Sequence, residues 1–222
     1  MRALVLVVLA GCAADIDPPW QLDHDRIVAV RATPPHIPAG ATAQIDLLVS
    51  HRGLGTAEVA ADAGTVVAPM QFASAMSGAT VTCPSDADLD AARAELGIKP
   101  GDPVPLTIGV LSGELPATKT VWLGDAQDNP TLDNLTIAGA PAPPAGTAIF
   151  VPPDMDVALS VDADDEVDIV NWLTSAGTMH DFDLHAAHLH VLPADPQAGE
   201  LAVVLRDPTG GVAWQVWPIA VQ

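Results

Sequence analysis

The chain has 222 residues, 28 of them acidic against 8 basic, for a net charge of −20. A surface this acidic repels phosphate backbones and anionic headgroups, which excludes nucleic-acid binding and a polybasic membrane contact. Hydrophobic residues make up 49% and charged residues 16%, with 21 prolines and 17 glycines, so there is material for one large core or two smaller ones interrupted by many turns, the pattern of an all-β protein.

The N-terminus reads Arg2, an apolar run over residues 3–9, and then Leu9-Ala10-Gly11-Cys12. A positive end, a short apolar stretch and small residues before a cysteine have the order of a signal peptide. The last four residues resemble the lipobox of bacterial lipoproteins. The resemblance implies cleavage before Cys12, a thioether from Cys12 to diacylglycerol and acylation of the new amine. No other cofactor is expected. The apolar run is far short of the roughly 20 residues that span a bilayer, whereas two or three acyl chains anchor a protein stably. Ala13, where enterobacterial sorting would place Asp to retain a lipoprotein at the inner membrane, implies an outer-membrane address. Residues 1–11 are thus read as signal peptide and 12–22 as a tether. The second cysteine, Cys83, is left without a partner and is expected to be buried as a small hydrophobe.

A first β-sandwich-like domain is expected over 23–124. Residues 26–32 and 43–49 are rich in β-branched side chains and are separated by a proline-rich break at 33–40. Further short strands are expected at 65–68, 79–83, 104–111 and 118–123. One helix is expected at 85–96: Ser85 caps it with Asp88 three residues on, Leu89, Ala92 and Leu96 recur on one face, and Gly97 and Pro100 end it. Residues 125–130 are polar and turn-rich, and read as a linker.

A second domain is expected over 131–222, with strands at 132–137, 147–151, 157–161, 167–173, 188–192, 200–207 and 211–221. Residues 206–211 (Arg-Asp-Pro-Thr-Gly-Gly) read as the turn between the last two. In the final strand Val212, Trp214 and Val216 share one face, and Trp217 and Ile219 the other. With Trp172 in a central strand, this half resembles an immunoglobulin-like sandwich, although the chain has no tyrosine and so no tyrosine corner. The lipobox, the two β units and the inserted segment 83–97 together are similar to an uncharacterised lipoprotein family of myxobacteria. The expected fold class is therefore all-β, with two tandem Ig-like sandwich units and one short inserted helix.

The densest set of chemically versatile side chains is the segment 179–190, which holds His180, His185, His188 and His190 with Asp181 and Asp183. In a strand, His188 and His190 project from one face, and two imidazoles with a third ligand can hold a transition metal. The other reading puts Ala187, Leu189 and Val191 inward and leaves the histidines in solvent. An acidic run at 162–168 lacks the loop glycine and terminal glutamate of an EF-hand. No Gly-x-Ser-x-Gly elbow and no phosphate-cradling loop occur. The expected function is a lipid-anchored structural or binding protein of the cell envelope, without catalysis, held at the membrane and with a protein partner there. The alternative is a metal-binding lipoprotein using His180, His185, His188 and His190.

Overall fold

The structure is a computed structural model that describes residues 18–50, 76–77, 80–164 and 167–222. Cys12, the signal-peptide segment and the strand expected at 65–68 lie outside the described residues.

The first half contains β1 (Arg26–Thr33), β2 (His36–Ile37), β3 (Thr42–Ser50), β4 (Met76–Ser77), β5 (Thr80–Thr82), helix α1 (Asp86–Leu96), β6 (Val104–Ser112) and β7 (Leu115–Leu123). One sheet has the order β1-β3-β5-β4 and its partner the order β2-β7-β6. Period-two patterning explains β6, where Val104, Leu106, Ile108 and Val110 are buried and Pro105 and Thr107 are exposed. Its two-residue turn into β7 has Gly113 at φ 59°, in the first central position of a type II′ hairpin. Ser85 caps α1 by accepting from the Asp88 amide, and Gly97 closes it at φ 69° with its own N–H on the Arg93 carbonyl. Leu89 and Ala92 enter the core as expected, but Leu96 is 49% exposed and Arg93 is buried instead. Arg93, one turn after Leu89, is held at the core margin by its hydrogen bonds to the Asp102 carbonyl and Asp90, while Leu96 falls at the last residue of the helix.

The second half contains β8 (Thr136–Ile137), β9 (Ala140–Pro141), β10 (Ile149–Val151), β11 (Asp156–Ser160), β12 (Ile169–Thr174), β13 (Thr178–His180), β14 (Ala186–His190), β15 (Ala198–Arg206) and β16 (Val212–Val221). The sheets are β13-β14-β11-β8-β9 and β10-β16-β15-β12. With β8 and β11 to β16 as strands A to G, these are the D-E-B-A and G-F-C sheets of an immunoglobulin-like sandwich. Trp172, on the C strand, is fully buried and donates its indole N–H to the Leu184 carbonyl. The strand expected at 132–137 shortens to Thr136–Ile137. The fold is all-β with one short helix.

The two sandwiches lie face against face, so the chain forms four stacked sheets with three apolar layers. Val30, Ile45, Leu47, Leu106, Ile108 and Val121 fill the first layer, and Val157, Leu159, Trp172, Leu189, Val203 and Trp217 fill the third. Between them Ala29 and Leu48 meet Leu173, Ala202, Val204 and Val212, with Val28, Trp214 and Val216 at the margin. This middle layer explains why residues 201–205 are buried on both faces of β15. It also takes up the end of the segment read as tether. Gln21 bridges parallel to Thr174, the Leu22 amide bonds the Thr174 carbonyl, and Leu22 is buried in the middle layer. Residues 18–22 are therefore part of the folded body rather than a free connector.

Candidate functional site

The histidine-rich segment folds as the β13–β14 hairpin. Ala187, Leu189 and Val191 point into the core, so the alternating histidines face out. His180 and His188 are register partners, while His190 pairs with Asp156 across β11. His190 Nδ1 lies 2.7 Å from Asp156 Oδ1, and its Nε2 lies 3.5 Å from Asp154 Oδ1. The hydrogen bond to Asp156 raises the His190 imidazole above its usual range, and the same bond holds the Asp156 carboxyl below its own. His185 is not brought to this face: it lines a separate hollow beside Asp168 and Asp183. Asp154 and Asp156, the groups that fix His190, were not among the expected site residues. Among the described residues, no group of three or more His, Cys, Asp or Glu side chains is placed to hold a metal ion. In the acidic run, the Asp168 carboxylate accepts from the Asp164 amide, as in a loop that satisfies its own backbone.

The more elaborate polar constellation lies where the sandwiches meet. His36, in the proline-rich break, is 5% exposed. Its Nδ1 faces the Asp125 carboxylate at 2.8 and 2.9 Å, its Nε2 donates to the Thr209 carbonyl at 3.0 Å, and its ring stacks on Trp122 with centroids 6.0 Å apart. Thr209 belongs to the β15–β16 turn. Asp207 shapes that turn by accepting from the Thr209 amide, the Thr209 hydroxyl and the Gly211 amide. Gly211 is required there, because a Cβ would lie 2.6 Å from Pro130 Cδ and closer still to Asp207.

Lys119 donates its ammonium to the Gly210 carbonyl, and Gln127 donates to the Thr209 hydroxyl. Asn129 joins both halves at once: its amide donates to the Ala32 carbonyl and its oxygen accepts from the Val212 amide, each at 2.8 Å. Arg31 lies 3.9 Å over the Trp214 ring, and Arg206 donates to the Val28 carbonyl at 2.9 Å. Three side chains of the segment read as a linker, Asp125, Gln127 and Asn129, thus act as fasteners. Trp217 is wholly buried and Trp214 is covered by Arg31, so these two do not form an exposed aromatic platform. Cys83 is a buried free thiol whose pKa burial pushes up.

No family model matches the sequence, and no curated protein matches it either. Among solved structures, the tandem Ig repeats of Dlar align with 10% identity over 90% of this chain and 98% of theirs, at a TM-score of 0.30. Murine CEACAM1b aligns with 14% identity over 87% and 98%, at 0.29. A nucleoside hydrolase-related hypothetical protein from Saccharophagus degradans aligns with 13% identity over 40% of this chain, at 0.31, and the chain spans 25% of that protein. Among the described residues, no helix is long and apolar enough to cross a membrane.

Proposed function

We propose that this chain is a non-catalytic lipoprotein of the bacterial cell envelope, acylated at Cys12, held at the outer membrane outside the cytoplasm, and serving as a structural or binding module. The observation that carries the reading is the locked pair of sandwiches. A buried apolar layer is flanked by hydrogen bonds from His36, Asn129, Lys119 and Arg206, which suits a stiff spacer that presents fixed surfaces to a partner. Flexible tandem domains present no such seam. The order Leu9-Ala10-Gly11-Cys12 supports the anchor. Only residues 13–19 separate Cys12 from the docked Trp20, and seven extended residues reach about 25 Å. An anchored molecule would therefore sit close against the bilayer.

The test is the intact mass of the chain extracted in detergent from its native membrane, with its N-terminal peptide mapped. A chain starting at Cys12 with diacylglyceryl and N-acyl groups is expected. An unmodified Met1 in the soluble fraction would refute the anchor.

A further inference from the structure

At one margin of the seam, where β1 meets β12 and β15, a cavity of about 190 Å³ opens to solvent. Its lining is polar at Arg26, Arg206 and Asn171 and apolar at Ile27, Leu173 and Phe182. Two of only eight basic residues in a chain of net charge −20 converge on this one hollow. Among the described residues their hydrogen bonds end on neutral oxygens: Arg26 on the Pro19 carbonyl, and Arg206 on the Val28 carbonyl and Asn171 Oδ1. Among the described residues neither guanidinium forms an ion pair, and the Arg26 Nε–H is buried with no acceptor. A guanidinium offers five donors, more than the one bond at Arg26 and the two at Arg206 use.

We propose that this cavity binds a small carboxylate carrying an apolar group. The carboxylate would lie between the Arg26 and Arg206 forks, and the apolar group would lie against Phe182 and Leu173. The planar fork matches a carboxylate in two parallel hydrogen bonds, and a cavity lined by both cationic and apolar side chains selects a guest that carries both characters. Burial disfavours the charged form of both arginines, with Asp23 partly offsetting this at Arg26; a bound anion supplies the compensation that the seam itself lacks.

Isothermal titration of the full-length chain with benzoate, benzamide and inorganic phosphate tests the proposal. Saturable one-to-one binding of benzoate is expected, with benzamide and phosphate at least tenfold weaker. Arg26→Gln, at a partly exposed position, should weaken benzoate binding at least tenfold while leaving the urea midpoint in place. Phe182→Ala should weaken it severalfold. Arg206→Lys keeps the charge and should still weaken binding, through loss of the fork. Failure of benzoate to saturate, equal binding of benzamide, or an Arg26→Gln chain that folds and binds like the parent would overturn the site. Phosphate binding as tightly as benzoate would overturn the carboxylate assignment.

Discussion

His36 Nε2 lies 3.0 Å from the carbonyl oxygen of Thr209, a contact that spans 173 residues and joins the two sandwiches. The ring is held on its other side by Asp125 and from its face by Trp122. His36→Phe keeps the ring and its stacking but leaves the Thr209 carbonyl without its donor and brings an apolar edge against a carboxylate. Leaving buried polar groups unsatisfied costs about 1–3 kcal/mol, so urea unfolding should show a loss of that size without a change in the far-ultraviolet spectrum.

Val204, fully buried in the middle layer, tests whether the halves are one cooperative unit. The parent chain should unfold in a single transition. Val204→Asp places a carboxylate in the same apolar layer as Leu48, Leu173 and Val212, where an unpaired charge is costly to bury and favours parting of the sheets. Two transitions, or a folded first half beside an unfolded second, should replace the one. A single transition shifted only slightly would show that the seam contributes little.

Lys119 and Lys99 are the lysines of the chain, and Lys99 is exposed. Burial lowers Lys119 from 10.5 to about 8, with Asp207 opposing and Arg206 adding to the shift. The folded value lies below the unfolded one, so over the window from about 8 to 10.5 the unfolded chain binds the extra proton. Stability contributed by this group therefore rises with pH across the window, and Lys119→Met should abolish that rise. Nitrogen-labelled lysine spectra should show the Lys119 side chain titrating near 8, and Lys119→Met should remove that titration. A spectrum with no lysine titrating near 8 would contradict the burial.

Much of this architecture was legible because it follows a period of two. The split of β16 into a Val212, Trp214, Val216 face and a Trp217, Ile219 face is read directly from alternation, and the structure assigns the first set to the seam and the second to the core. The helix was legible from Ser85, Asp88 and Gly97, which are local signals. The seam was not. His36 sits in a segment that reads only as a proline break, and its partners are 89 and 173 residues away. Leu48 and Val204 look like ordinary strand residues, since sequence does not say which sheet covers the second face of a strand. The partners of His190 were missed for the same reason: Asp156 is 34 residues distant, and only the β11–β14 register brings it opposite.

The β8–β9 hairpin turns through Ala138 at φ 52° and Gly139 at φ 74°. Positive φ at both central residues defines a type I′ turn, which favours Asn-Gly. An alanine Cβ in the left-handed region costs about 1–2 kcal/mol, and asparagine tolerates the conformation better. Ala138→Asn should therefore raise stability by about 0.5–1 kcal/mol, read as a higher urea midpoint with unchanged slope. No change would mean that the second domain unfolds with this hairpin already open.

The outward face of the β13–β14 hairpin should respond to protons rather than to metal. The Asp156 hydrogen bond raises His190, so the stability this histidine contributes is complete below its unfolded value and is lost as pH rises through the higher folded one. Asp156 is lowered, so its contribution is present above the unfolded carboxylate value and fades as pH falls through the lower folded one. The pair is effective between those two limits. Imidazole proton shifts should place the His190 midpoint above that of a free histidine, and Asp156→Asn should bring it down while leaving the fold intact. Zinc added to the parent chain should leave these resonances in place at stoichiometric levels. Broadening of His180, His188 and His190 together at one equivalent would instead assign the face to metal binding, with the cross-strand pair His180 and His188 as its first two ligands.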